Sequence, residues 1–248
     1  DGIDTLYETK NNVKTYILDK NYGYAYAVNY GIKKSLGEYI LLLNPDTLIK
    51  EDTLKILLKS LSDDSNVGIV GCKVLNSDGT FQLSSRRSFP YFFASFSKLL
   101  GLDKVFPNNS LFGKYNYTYL DPNSMHDVDA VSGSCMLFKK DIIKEVGFLD
   151  DRYFLYFEDT DFCYRVKKYG YKILYNPNTQ IIHYKGESVK RSTKKIKNEF
   201  YISMIKFFDK YKHEYWNWFI LKNALRAGIT LRKLYFVISE NSSKIASL

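Results

Sequence analysis

Residues 39–43, Tyr-Ile-Leu-Leu-Leu, are an uninterrupted apolar run that stops at Asn44-Pro45-Asp46. The run is too short for a buried helix and shows no polar face. It therefore predicts a central strand of a parallel sheet, covered on both sides. Its neighbours extend the pattern. Ala25, Val28, Ile32 and Leu36 recur at helical spacing between Gly23 and Gly37. Leu54, Leu57, Leu58 and Leu61 share one helical face behind a candidate N-cap, Asp52. "VKTYIL" (13–18) alternates like a strand, and "VGIVGCKVL" (67–75) reads as another. The order β-α-β-α-β predicts an α/β sheet with ligands outside the carboxyl ends of its strands.

Residues 76–127 break this regularity. They are rich in Asn, Ser, Phe and Pro, and only "FFASFSKLLG" has helical character. An excursion this long within a compact domain is usually functional or mobile. After it, "DVDAVSGSCMLFKK" returns to strand and "KDIIKEVG" gives a short helix. "YFEDTDFCYRVKKYG" runs from loop into a helix ending at Gly170, and "YKILYN" and "QIIHY" predict two more strands. From Asn198 the pattern is helical. Phe200, Tyr201, Met204, Phe207, Phe208 and Tyr211 form one aromatic stripe. The expected division is an α/β core over 1–190 and an amphipathic tail over 191–248.

The net charge of +9 is concentrated in that tail. Residues 185–248 carry 14 Lys and Arg against 5 Asp and Glu, while the remainder is balanced. A neutral body with a basic, aromatic tail suggests an anionic membrane surface as a partner. The tail's aromatics follow helical spacing rather than a stacking array, which argues against nucleic acid. The plainer reading of the stripe is that it packs on the body. Cys72, Cys135 and Cys163 sit in apolar stretches with no zinc-ligand spacing, so buried free thiols in a reducing compartment are expected. No apolar run approaches the roughly 20 residues of a spanning helix. The expected location is cytoplasmic, peripheral on the inner membrane face.

Three places can carry chemistry. Asp46 follows a buried strand and a φ-fixing proline, which suits it to hold Mg²⁺ or Mn²⁺ and, through it, a diphosphate. As a tripeptide alone, Asn-Pro-Asp is an ordinary turn. Glu158, Asp159 and Asp161 crowd three carboxylates among Tyr156, Phe157 and Phe162, a setting that raises at least one pKa toward a general base's range. The plainer reading makes Asp159 or Asp161 a helix cap. His183 ends an apolar strand. It can share a metal with Asp46 if the two strands finish on one edge.

Four blocks in order, "NYGYAYAVNYG", "YILLLNPDTLI", "VDAVSGSCMLFKK" and "FLYFEDTDFCYRVKKYGYKILYNPNTQIIHYKGES", resemble a family-2 glycosyltransferase of the rhamnosyltransferase-like kind. The resemblance covers residue 13 to about residue 190. It implies a GT-A fold: a mixed, mainly parallel sheet with flanking helices. It also implies a dTDP- or UDP-sugar donor, a divalent cation (Mg or Mn), inversion at the anomeric carbon, and a glycan or polyprenol-linked acceptor. By position it makes Asp159 the general base and Glu158 its neighbour for acceptor or base positioning. Asp46 becomes the metal-binding acid, with Asn44 where many relatives carry a first aspartate, and His183 a further cation contact. Gly133 and Ser134 floor the sugar pocket, Asn21, Gly23 and Asn29 flank the nucleotide, and Asp161 and Arg165 are counted with the substrate-binding set. The family normally opens with two strands that precede the first block. Their absence predicts a fragment, with strand 13–18 left at an edge. The rivals are a non-catalytic nucleotide-sugar or glycan-binding module and a sugar nucleotidyltransferase. The second needs a Gly-rich basic phosphate loop near its start, which is not visible here.

Overall fold

The computed structural model describes residues 13–184, 193–214 and part of 219–230. The opening turn "DGIDTLYE" and the tail segment "LRKLYFVI" lie outside the described residues. The chain divides into two compact units, Asp1–Arg191 and Ser192–Leu248.

The first unit is built on a mixed sheet. Its strands are β1 (Tyr39–Leu43), β2 (Thr47–Ile49), β3 (Val67–Leu75), β5 (His126–Asp127), β7 (Cys135–Lys139) and β8 (Lys172–His183), and the order is β1-β7-β3-β8-β2 with β5 also on β8. A separate pair joins β4 (Arg86–Arg87) to β6 (Ala130–Val131). The sheet is mixed with flanking helices, as expected, but its balance differs. Among the described strands β3–β8 is parallel, while β1–β7, β3–β7, β2–β8 and β5–β8 are antiparallel. The apolar run at β1 is not central among the described strands. It lies at the end of the order, with Ile40 and Leu42 buried and Tyr39 and Leu43 exposed. A strand with one covered face needs only alternate apolar positions, so its continuous apolar run did not report its place.

Residues 13–18 form no strand, and Val13, Tyr16 and Ile17 are exposed. Alternation yields a strand only when a neighbour completes the ladder, and no described strand pairs there. The two strands expected at 171–184 are one. β8 keeps register with β3 up to Cys72↔Asn176 and resumes at Lys73↔Gln180, so Pro177–Thr179 bulge out where proline has no N–H to give.

Helices cover both faces. α2 (Thr53–Asp63) buries Leu57 and Leu61 against Val70, Cys72, Val74, Cys135, Leu137 and Ile181. Leu54 and Leu58 of the expected face stay exposed. Asp52 makes no capping bond; Thr53 Oγ1 instead accepts the Lys50 N–H and bonds Thr179. On the opposite face α6 (Glu158–Lys168) sets Phe162 against Phe138 at 5.0 Å between ring centres. α1 (Tyr24–Lys34) starts at Gly23 as expected but ends early, leaving Leu36 91% exposed. α5 (Ile142–Val146) is the short helix after β7.

The excursion is ordered. It carries α3 (Phe92–Leu100) and α4 (Leu102–Val105). Arg86, fully buried, pins it by donating to the carbonyls of Leu120 (2.5 Å) and Asp121 (3.0 Å) and lies over the Tyr175 ring at 4.8 Å. The three cysteines are buried and free. In the second unit, α7 (Thr193–Lys210) buries Met204, Phe207 and Phe208 of the aromatic stripe, and Phe207 packs on Tyr211 at 4.8 Å. No described helix is long and apolar enough to cross a membrane.

Candidate active site

The Asn44–Asp46 turn carries the chain from the end of β1 to β2, which pairs with β8 so that Thr47 faces His183. This crossing brings Asp46 and His183 together. Asp46 Oδ1 lies 3.1 Å from His183 Nε2, and Asn44 Nδ2 lies 3.2 Å from the same nitrogen. The other ring nitrogen, Nδ1, faces Gln82 Oε1 at 3.2 Å. Gln82 is fixed in that orientation, because its Nε2 donates to Asn76 and its Oε1 accepts from Ser84. With the Nδ1 proton given to Gln82, the neutral ring's Nε2 accepts from the Asn44 amide, and a second proton on Nε2 would pair it with Asp46. Asp46 is half-buried, so one side of the pair reaches solvent, while His183 is buried. The donor set suits a hard cation, with oxygen and imidazole nitrogen from the protein. No group of three or more His, Cys, Asp or Glu side chains forms a closed metal cage among the described residues.

The second cluster sits at the start of α6. Tyr156 and Phe157 both take left-handed backbone conformations, at φ 66° and 68°. Two such non-glycine residues cost about 1–3 kcal/mol each and persist where the surroundings impose them. They place Glu158 and Asp159, both buried, in the first turn of the helix, where its dipole favours negative charge. Capping does not explain Asp159. Its Oδ2 accepts from Arg87 Nη2 at 2.7 Å and from the Gly133 N–H at 3.1 Å, and its Oδ1 from the Thr160 N–H at 2.6 Å. Burial opposes the Asp159 charge, but the Arg87 guanidinium and these donors hold its pKa below the usual carboxylate value. Glu158 has weaker support, from its own backbone N–H and the more distant Arg87 charge. Its Oε2 is buried without a hydrogen-bond partner. Burial first, and the Asp159 charge second, push its pKa up to about 8. At neutral pH the pair holds its charge on Asp159 and its proton on Glu158.

Two consecutive residues connect the clusters. The Gly133 N–H donates to Asp159, and the Ser134 carbonyl accepts from the Asn44 N–H at 3.2 Å. The carboxylate pair and the turn that carries Asp46 thus contact consecutive residues of one loop. The Tyr24 hydroxyl donates to the Gly133 carbonyl at 3.3 Å. Gly23, at φ 96°, lies so close to Phe154 that a Cβ would come within 2.6 Å of its carbonyl oxygen, and Asn21 Oδ1 accepts the Gly23 N–H. These two residues place Tyr24 beside the acids.

Three other sequence-derived positions serve the scaffold. Asn29 spends both ends of its amide on the Leu149 backbone. Asp161 is fully buried and pairs with Arg165 at 2.9 Å, and Arg165 also donates to the carbonyls of Val146, Gly147 and Phe148. Sequence reasoning missed Arg87, Gln82 and Tyr24. Arg87 had a readable signal: Arg86-Arg87 stands in a stretch with no acid between Asp78 and Asp103, so any partner had to come from afar.

The family model for glycosyl transferase family 2 matches residues 2–147. The chain belongs to glycosyl transferase family 2. Its fold is the GT-A arrangement. The chain is 30% identical over 192 residues to the N-acetylglucosaminyl-diphospho-decaprenol L-rhamnosyltransferase of Mycobacterium tuberculosis, covering 73% of this chain and 61% of that protein. It is 33% identical over 152 residues to rhamnosyltransferase WbbL of Escherichia coli, covering 59% and 52%. To the low-salt glycan biosynthesis hexosyltransferase Agl10 of Haloferax volcanii it is 28% identical, covering 60% and 44%. The chain therefore spans between 44% and 61% of the length of these relatives. The resemblance to a rhamnosyltransferase-like member of the family holds.

Proposed function

We propose that this family-2 protein is an inverting glycosyltransferase. It moves rhamnose or a similar deoxyhexose from a dTDP- or UDP-sugar to a lipid-linked or cell-surface glycan acceptor. The observation that carries the reading is the split carboxylate pair at 158–159, joined through the Gly133–Ser134 loop to the turn that carries Asp46. In transfer, the acceptor oxygen forms a bond to the anomeric carbon and the bond from that carbon to the diphosphate oxygen breaks. The acceptor hydroxyl gives up its proton. Asp159, ionised and locked by Arg87, is the base that takes it. Glu158, carrying its own proton, keeps a second negative charge away from Asp159. Asp46 and His183 would hold Mg²⁺ or Mn²⁺, with Gln82 orienting the imidazole, and the cation would neutralise charge on the nucleoside diphosphate. The names of the relatives, two rhamnosyltransferases and one hexosyltransferase, support the sugar class, and the decaprenol-linked acceptor in one name supports the acceptor class.

Thermal shift with a panel of nucleotide sugars, with and without Mn²⁺, tests the donor half. The melting temperature should rise for a dTDP- or UDP-deoxyhexose and rise further with the cation. Product analysis with a lipid-linked acceptor analogue tests the rest. A donor that binds but is neither transferred nor hydrolysed would make the protein a binding module instead.

A further inference from the structure

α3 turns large apolar side chains outward. Its outward positions are Phe93, Phe96 and Leu100, spaced i, i+3, i+7, and all three are exposed, Phe93 by 61%. Its inward positions are Ala94, Ser95 and Ser97, all buried, and Ser95 Oγ is buried without a hydrogen-bond partner. A surface helix normally does the reverse, turning its large apolar side chains to the core. The exposed face continues past Gly101 through Val105, Phe106 and Leu111, also exposed. An apolar surface this continuous marks an interaction site.

The charge pattern names the partner. From Ser88 to Leu120 the sequence contains Lys98, Lys104 and Lys114 and a single acid, Asp103. Asp103 is buried and paired with Lys98 at 2.7 Å. No carboxylate is exposed anywhere on this segment, while Lys104 is. Exposed Phe and Leu with basic residues and no exposed acid are the chemistry of a helix that lies in an anionic bilayer surface, its apolar side chains about 5–10 Å deep.

We propose that the α3–α4 face, led by Phe93, Phe96, Leu100, Val105 and Phe106, docks the protein on an anionic lipid bilayer. The proposal differs from a tail-mediated attachment, since it uses the excursion and leaves the aromatic stripe of α7 buried. It also connects to the site. Arg87, the partner of Asp159, lies five residues before Phe92, a span of at most about 18 Å. α3 and the carboxylate pair are thus joined by a short stretch of chain, which suits an acceptor carried on a lipid. The docking does not depend on the catalytic reading, and its test requires no turnover.

The experiment is sedimentation of the whole chain with phosphatidylcholine vesicles and with vesicles containing phosphatidylglycerol. The protein should bind the anionic vesicles, more weakly at high salt. The triple variant Phe93→Ser, Phe96→Ser, Phe106→Ser should lose at least tenfold in binding while keeping a cooperative melt, lowered only by the lost ring contacts with Phe92 and Phe112. Lys104→Glu should weaken binding and the salt dependence together. An environment-sensitive fluorophore on Phe106→Cys, in a protein whose native thiols are buried, should shift to the blue on binding. Wild-type affinity retained by the triple variant overturns the proposal, as does no binding of anionic vesicles. A concentration-dependent dimer abolished by the same three changes overturns it in favour of a second copy.

Discussion

The two acidic clusters differ in where their counter-charge comes from. Asp159 carries its own: Arg87 at 2.7 Å, together with backbone donors from Gly133 and Thr160. Asp46 faces a histidine ring nitrogen and a neutral amide, and it is more open to solvent. The contrast teaches that one carboxylate is prepared in advance, ionised and immobile, and the other is completed by what binds. That division suits a transfer reaction. The base must be ready before the acceptor arrives, whereas charge on the leaving diphosphate needs neutralising only when donor is present.

The largest expected effect is on the prepared side. Asp159→Asn should lower transfer by about 10²–10⁴-fold while donor binding persists, read by turnover beside thermal shift. Unchanged turnover would falsify the assignment of the base. Next is Arg87→Ala, which leaves Asp159 buried with no countercharge. It should cost about 3–5 kcal/mol of stability in denaturant titration. Arg87→Lys should restore part of that but lose the guanidinium geometry. A loss under 1 kcal/mol for Arg87→Ala would mean that the pair is better solvated than its burial suggests.

On the completed side, Asp46→Ala and Gln82→Ala should each weaken the Mn²⁺-induced rise in melting temperature, corresponding to about 10–100-fold in cation affinity. Gln82 touches no ligand in this account, so its effect would be specific to the tautomer it imposes on His183. Equal Mn²⁺ response in Gln82→Ala and wild type removes that role.

The smallest and most specific effect is the pH dependence of Glu158. Its folded pKa, about 8, lies above its ordinary value of 4.5. The stabilisation it contributes is therefore complete below the ordinary value and is lost as pH rises through the folded one. Asp159 has the opposite sign, its contribution being lost as pH falls through its depressed folded value. Relative to Glu158→Gln, the wild-type melting temperature should fall between about pH 5 and pH 8, and transfer should lose an alkaline limb that the variant lacks. Parallel curves for the two proteins would show that Glu158 does not titrate in this window.

Much of the site was legible because its pieces are local. Asn44-Pro45-Asp46 sits where a strand ends, Glu158-Asp159 where a helix starts, and both positions follow from periodicity and turn chemistry. His183 was legible as a strand-end histidine, and the structure supplied the shared edge that its partnership with Asp46 required. The errors have one cause. Strand 13–18, the central placement of β1 and the parallel bias of the sheet were inferred from patterns within a segment, whereas ladder partners lie elsewhere in the chain. Asp161 and Arg165, counted by resemblance with the substrate-binding set, form an i,i+4 pair that ties α6 to the carbonyls after α5, a long-range contact that the sequence does not display.

By itself the sequence determined the family, the helices that begin after Gly23, Asp52 and Phe157, the strands at 39–43 and 67–75, and which carboxylates were available for chemistry. Only the tertiary structure decided which carboxylate is ionised. Glu158 and Asp159 are adjacent and chemically alike, and no local rule separates them. Arg87 arrives from 72 residues away to charge one, and burial without a partner protonates the other. A pKa is set by the atoms that surround a group, and those are chosen by the fold rather than by neighbours in the chain.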